Sequence, residues 1–184
     1  MSEKSKKELI IELLDEVKRR GIEDVKAWLD KSGFYQNPAS SKWHGNYVGG
    51  LAEHSYNVYR LFSHFNKIFK LNLNRETIIL CPILHDVCKI GAYVMSGSEI
   101  QYNYAGPKGH AQLSLQRIKE HITLTDQEYM IIRYHMGMYG AGESGCRGTE
   151  YPLKILVDSY NANKVAKLFY FCDDMASQFL DVKK

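Results

Sequence analysis

The stretch Ile83-Leu84-His85-Asp86-Val87-Cys88-Lys89 ends the most apolar run of the chain, Ile78 to Leu84, with an imidazole, a carboxylate and then a lysine. An acid at the end of such a run is drawn out of water. Desolvating even a neutral polar group without a partner costs roughly 2–7 kcal/mol. Asp86 therefore calls for a strong counter-charge, and a divalent metal is the strongest available. Alone, the dipeptide fits a core histidine hydrogen-bonded to an aspartate equally well, so the rest of the chain has to decide.

With 184 residues and 45% hydrophobic content, the chain is long enough for one domain with a sizeable core. A net charge of +3, from 24 basic and 21 acidic residues, is too balanced for a nucleic-acid coat or a membrane-surface protein. Cys81, Cys88, Cys146 and Cys172 form no CxxC and sit mostly among apolar residues, which reads as reduced thiols. There is neither a signal-peptide core nor an apolar run near the roughly 20 residues that span a bilayer. The expectation is a soluble cytoplasmic protein with no membrane partner.

Outward from the central stretch, Asn74 suits the N-cap of the helix that carries His85 and Asp86, and Pro82 should kink it about one turn before them. Upstream, Gly49-Gly50 opens a long helix to about Phe69, with His54 at the edge of an apolar stripe. Two helices precede it. One starts at the capping box Ser5 to Glu8 and runs toward Gly21; the other covers about Glu23 to Lys31. Downstream, residues 92–104 read as a small hairpin or an extended loop, His110 starts a helix, and the capping box Thr125 to Glu128 opens another that leads to His135. A glycine-rich loop over 137–150 contains a GxGxxG match, Gly140 to Gly145, that follows a helix instead of a strand and so reads as a loop. A final helix, about Ala162 to Leu180, buries Phe169, Cys172 and Phe179 and carries Asp173. The sum is an all-α bundle of about seven helices, with residues 1–184 as a single domain and 1–33 as a two-helix extension on its core.

His54, His85, Asp86, His110, His135 and Asp173 thus fall on or beside buried helix faces contributed by separate helices. Four imidazoles and two carboxylates suit manganese, iron, nickel or zinc, and they outnumber the ligands of a single catalytic ion with open positions. Two ions bridged by Asp86 are the natural solution, with one ion as the smaller alternative. Their surplus positive charge attracts a phosphate.

The motif text Gly49-Gly50-Leu51-Ala52-Glu53-His54, His85-Asp86-Val87-Cys88-Lys89, Gly109-His110, Tyr134-His135-Met136-Gly137 and Cys172-Asp173-Asp174 resembles the HD superfamily of metal-dependent phosphohydrolases. Within it, Phe34-Tyr35, Pro38-Ala39, His44 and Asn46-Tyr47-Val48 look closest to the HD domain of bacterial 3′–5′ exoribonucleases, and the likeness runs over about residues 34–180. The resemblance implies the HD bundle, a metal-dependent phosphohydrolase, the six residues above as ligands, Lys89 on the substrate phosphate and His44 beside the site. Asp86 and Lys89 would carry the catalysis. Asp173 is preferred to its neighbour Asp174 as the late acidic ligand. The superfamily often has glycine and alanine where Cys88 and Cys172 stand, a change that bears on packing more than on chemistry.

Those exonucleases carry an oligonucleotide-binding barrel ahead of the HD domain, whereas the first 33 residues here read as helices without interleaved stacking aromatics. The basic clusters Lys4-Lys6-Lys7 and Lys18-Arg19-Arg20 read as solvated faces. The expected partner is a small phosphorylated substrate, a nucleotide or short oligonucleotide, without a strong nucleic-acid signature; an oligomer is open. The same ligand set also serves HD-fold di-iron oxygenases, and a nucleotide-binding protein with a structural metal is the third reading.

Overall fold

A computed structural model describes residues 4–96, 99–102, 109–142 and 149–181. The chain order is α1 (Lys6–Asp15), α2 (Ile22–Lys31), α3 (Gly50–Ile68), α4 (Arg75–Leu84), a 3₁₀ turn (Val87–Lys89), β1 (Tyr93–Ser96), β2 (Glu99–Tyr102), α5 (His110–Ile118), α6 (Asp126–Arg133), α7 (Gly137–Gly140), β3 (Ala141–Gly142), β4 (Tyr151–Pro152), α8 (Leu153–Ala162), α9 (Lys164–Met175) and a π-helical turn (Ala176–Leu180). The fold is all-α. Its strands form only the antiparallel pair β1–β2, in the expected hairpin, and the two-residue parallel pair β3–β4. The hairpin's tip at 97–98 and Tyr104 lie outside the described residues, as do Cys146 and the middle of the glycine-rich loop, 143–148.

Helix α4 is the axis of the bundle. From Thr77 to Leu84 every residue is buried, because Ile78, Ile79, Leu80, Cys81, Ile83 and Leu84 leave no polar face to turn outward. Asn74 caps it, accepting from Glu76 N–H at 2.9 Å. Around it, Ile10 and Leu14 of α1, Val25 and Leu29 of α2, Val58 and Phe62 of α3, Ile131 and Ile132 of α6 and Phe169 of α9 join one buried cluster. Phe62 and Phe169 meet edge to face at 5.1 Å, which ties α3 to α9.

Helix α1 stops at Asp15, well short of Gly21. Lys18 N–H donates to Glu76 Oε1 at 2.8 Å, so a side chain from α4 takes the donor that a longer helix would have used. Arg19 then turns inward, at 2.6 Å from the fully buried Glu128 and 3.1 Å from Glu76. Its cluster is therefore not merely a solvated face.

The C-terminal third also differs from the expectation. Helix α8 precedes the expected last helix, and Asn163 breaks the chain between them, its side chain accepting from Val165 and Ala166 N–H to cap α9. Only Leu156 and Ser159 of α8 are buried, while Leu153, Ile155 and Val157 stay exposed, so no clean helical period marked it. After Met175 the backbone widens into the π turn, closed by Asp181 N–H to Ala176 O at 3.0 Å. The altered register leaves Phe179 75% exposed instead of buried, and carries Asp181 into the interior.

Candidate metal centre

The site forms where α4 ends. His85 is the C-cap of α4, and its Nδ1–H donates to Pro82 O at 2.8 Å, three residues back. His135, just beyond α6, repeats the device: Nδ1–H donates to Ile132 O at 2.7 Å. His54, on α3, donates through Nδ1 to Asp181 Oδ2 at 2.6 Å, and Asn57 Nδ2 holds the other oxygen of that carboxylate at 2.8 Å. In each ring the engaged Nδ1 leaves Nε2 pointed at the cluster, the tautomer and orientation that a metal ligand requires.

The six residues singled out from sequence converge. His54 Nε2 lies 3.1 Å from Asp173 Oδ1, 3.2 Å from His85 Nε2 and 3.5 Å from Asp86 Oδ2. Asp86 Oδ1 is 3.3 Å from His110 Nε2 and 3.6 Å from His135 Nε2. Among the described residues four groups have ligand atoms within 4.8 Å of one another: His54/His85/Asp173, His85/Asp86/His135, Asp86/Cys88/His110 and His44/His54/Asp181. Asp86 stands in two of them. Asp174, the neighbour of Asp173, enters none of these groups. Cys88, expected to matter for packing, contributes its thiol to the third group, and Cys81, Cys88 and Cys172 are free and buried.

Lys89 Nζ is 2.6 Å from Asp86 Oδ2 and mostly buried, so its charge is engaged by the acid at the centre of the cluster. His44 lies against His54, ring centroids 5.0 Å apart, and its Nε2 is buried without a partner. Burial, reinforced by the charge of Lys89, holds its pKa down at about 4, so His44 is neutral at pH 7. His64 is exposed, whereas His121 stacks on Trp28 at 4.4 Å, which gives it a packing role the sequence did not suggest.

Burial by itself would lower the pKa of His85 and His110, but interactions with Asp86 for the first, and with the Cys88 sulfur and Asp86 for the second, outweigh it and raise both to about 10. The carboxyls of Asp86 and Asp173 resist the upward pull of burial and stay well below the usual range, through Lys89 and His85 on the first and His54 and His85 on the second. Protons on imidazoles thus occupy the electrostatic place a cation would take. Asp86 Oδ1 and His135 Nε2 remain buried with no hydrogen-bond partner. Buried polar atoms are rarely left so, and a divalent transition ion, with its preference for imidazole and carboxylate, fits this donor set.

Two supporting residues escaped the sequence reading. Asp181 lies beyond the last periodic position, and only the π turn brings it to His54. Glu150 accepts from the backbone N–H of His110 at 2.6 Å and Ala111 at 3.2 Å, and pairs with Arg133 at 3.0 Å. It caps α5 from 40 residues away, so local capping signals at Gly109 could not reveal it.

An all-α bundle that gathers His, His-Asp, two further histidines and a late aspartate on one spot is the arrangement of the HD proteins, and residues 51–165 match the HD domain family. The match covers more than half of the chain, and the protein belongs to that family. Over 61 residues the chain is 34% identical to the dihydroneopterin 2′,3′-cyclic phosphate phosphodiesterase of Methanocaldococcus jannaschii, covering 31% of this chain and 24% of that protein. Over 143 residues it is 24% identical to the 3′-5′ exoribonuclease YhaM of Listeria welshimeri, covering 74% of this chain and 45% of that one. The chain therefore spans less than half the length of either relative. No solved structure matches it.

Proposed function

We propose that this protein is a metal-dependent phosphohydrolase, that His54, His85, Asp86, His110, His135 and Asp173 hold one or two divalent transition ions, and that the substrate is a nucleotide or short oligonucleotide. The observation that carries the reading is the pair of buried ligand atoms that lack a hydrogen-bond partner, Asp86 Oδ1 and His135 Nε2, 3.6 Å apart. Both residues line the wall of an open cavity of about 810 Å³, large enough to admit a nucleotide. A bound divalent ion would supply Lewis acidity toward a phosphoryl oxygen and acidify water. The chain's own part is positioning and charge. Lys89 offers an ammonium beside Asp86 that can neutralise charge growing on phosphoryl oxygens. Neutral His44, with Nε2 unpartnered, can hydrogen-bond a substrate oxygen. The names of the two relatives, a cyclic-phosphate phosphodiesterase and an exoribonuclease, favour the same chemistry.

The test is turnover by metal-stripped protein reconstituted in turn with manganese, iron, nickel and zinc, assayed on nucleoside monophosphates, cyclic dinucleotides, short oligonucleotides and a base-free phosphodiester. Metal-dependent release of phosphate or a nucleotide supports the proposal. Failure on every phosphoester, with consumption of O₂ by the iron form, would transfer the site to oxygenase chemistry.

We also read residues 1–184 as one HD domain, with 1–33 as a two-helix extension. The reading is supported by Ile10, Leu14, Val25 and Leu29, which are buried in the same cluster as α4. Among the described residues no helix is long and apolar enough to cross a membrane.

A further inference from the structure

Two of the most exposed large hydrophobic side chains among the described residues, Trp43 at 81% and Tyr139 at 71%, line the same cavity as Asp86 and Lys89. Single exposed aromatics are ordinary; two at one cavity, above a cluster suited to phosphate, are not explained by packing. Each is also held on a backbone that has little freedom. In the turn carrying the indole, Trp43 N–H donates to Ser40 Oγ at 2.9 Å and the Ser40 hydroxyl donates to His44 O at 2.8 Å. Ala39 N–H closes on Gly45 O at 2.8 Å, and Gly45 N–H reaches Asp181 O at 3.2 Å. The turn is pressed onto the first turn of α3: a Cβ on Gly50 would stand 2.0 Å from Gly45 O, so only glycine allows the approach. Asp181 is the residue that orients His54. The indole is thereby tied, through its backbone, to the metal cluster.

Tyr139 is fixed from the other segment. Its helical turn α7 starts at Gly137, whose φ is +52° and whose missing side chain is replaced by the Tyr170 ring; a Cβ there would lie 2.3 Å from it. Tyr151 Oη donates to Gly137 O at 3.1 Å. Lys42, next to Trp43, lines the same cavity and adds a positive charge near its mouth.

We infer that Trp43 and Tyr139 form the base-recognition surface of this site, stacking on the aromatic base of a nucleotide whose phosphate lies at the His/Asp cluster. The inference rests on the phosphohydrolase reading for the position of the phosphate, and it adds the group that distinguishes a nucleotide from a plain phosphoester. Aromatic side chains have only two χ angles to immobilise on binding and, on a backbone held as here, stack on any base, which favours nucleotides as a class over one sequence.

Trp43 itself reports on the test, since the chain has 2 tryptophans and Trp28→Phe leaves it as the sole indole. Zinc-loaded protein in that background is titrated with adenosine monophosphate, uridine monophosphate and ribose 5-phosphate, with affinities checked by calorimetry. The expected result is saturable quenching by both nucleotides, stronger with the purine, and little with ribose 5-phosphate. Trp43→Ala and Tyr139→Ala should each weaken nucleotide binding by about tenfold and leave ribose 5-phosphate unchanged, while Trp43→Phe keeps most of the affinity. Equal affinity for nucleotide and sugar phosphate, no quenching by either nucleotide, or equal losses for both ligands in the ring variants would each overturn the inference. Turnover of a base-free phosphodiester separates the two readings. If it persists while base recognition fails, the hydrolase proposal stands alone; if base recognition holds and no phosphoester is cleaved, only the hydrolase proposal falls.

Discussion

Three imidazoles of the cluster are anchored through Nδ1, two by backbone carbonyls three residues earlier and one by Asp181. The difference matters for mutation. A carbonyl cannot be deleted, but Asp181 can, and its loss frees the His54 ring. Because such supporting partners typically contribute 10–100-fold to metal affinity or activity, Asp181→Ala should lower metal affinity by about that factor, measured by competition with a chelator. Asp86→Ala should be harsher, since Asp86 stands in two of the four candidate ligand groups. Metal-dependent activity should vanish with the helical circular dichroism intact; wild-type metal content and rate would rule out a shared acid. Lys89→Ala should leave metal stoichiometry unchanged and reduce kcat on phosphoesters by roughly 10²-fold. Its ammonium contacts Asp86 but, while protonated, cannot coordinate metal.

At the level of helices, Arg19, just beyond α1, joins α4 and α6 through ion pairs with Glu76 and Glu128. Glu128 is fully buried, and besides Arg19 it accepts from Thr77 Oγ1 at 2.8 Å and from Thr125 N–H at 2.8 Å. Burial pushes its pKa up, but these hydrogen bonds, Arg19 foremost, prevail and hold it below the ordinary value. A carboxyl whose folded pKa is depressed contributes stability above its unfolded pKa, about 4.3. That contribution is lost as pH falls through the folded value. Denaturant melts should therefore show the wild type losing stability as pH falls below about 5, and Arg19→Met losing about 3–5 kcal/mol at pH 7, as expected when one partner of a buried pair is removed. An Arg19→Met protein as stable as wild type would mean that the threonines suffice. Glu150 does for α5 what Glu128 does for α6, receiving the first N–H groups of the helix that presents His110.

Across the whole molecule, charge is nearly balanced at +3. The basic side chains of the two N-terminal clusters, expected as solvated faces, are partly engaged internally: Lys4 with Glu12, Lys7 with Asp30 and Arg19 with Glu76 and Glu128. Each phosphate neutralised on a single strand adds about 0.7 to the slope of log affinity against log salt. Binding that involves one or two phosphates should thus give a slope no steeper than about −1.5, with little gain in kcat/KM as an oligonucleotide grows beyond a few residues. A steep slope and a processive ladder on long RNA would reveal a binding surface beyond the cavity.

The all-α class, the capping boxes at Ser5 and Thr125, the Asn74 cap and the six clustered residues could be read from the chain, because each is a local signal: a side chain beside its own helix end, or a ligand type at the border of an apolar face. Three features could not be read in this way. The end of α1 at Asp15 depends on Glu76, which is distant in sequence; α8 has too few buried residues to carry a period; and the π turn that turns Phe179 outward and Asp181 inward changes the register itself. Tertiary contacts likewise decided that the Trp43 turn hangs from Asp181 and that α5 is capped by Glu150. Sequence patterns report on neighbours within a few residues. A buried donor or acceptor, however, takes whatever partner the packed chain brings within 3 Å, and here that partner often lay 40 or more residues away.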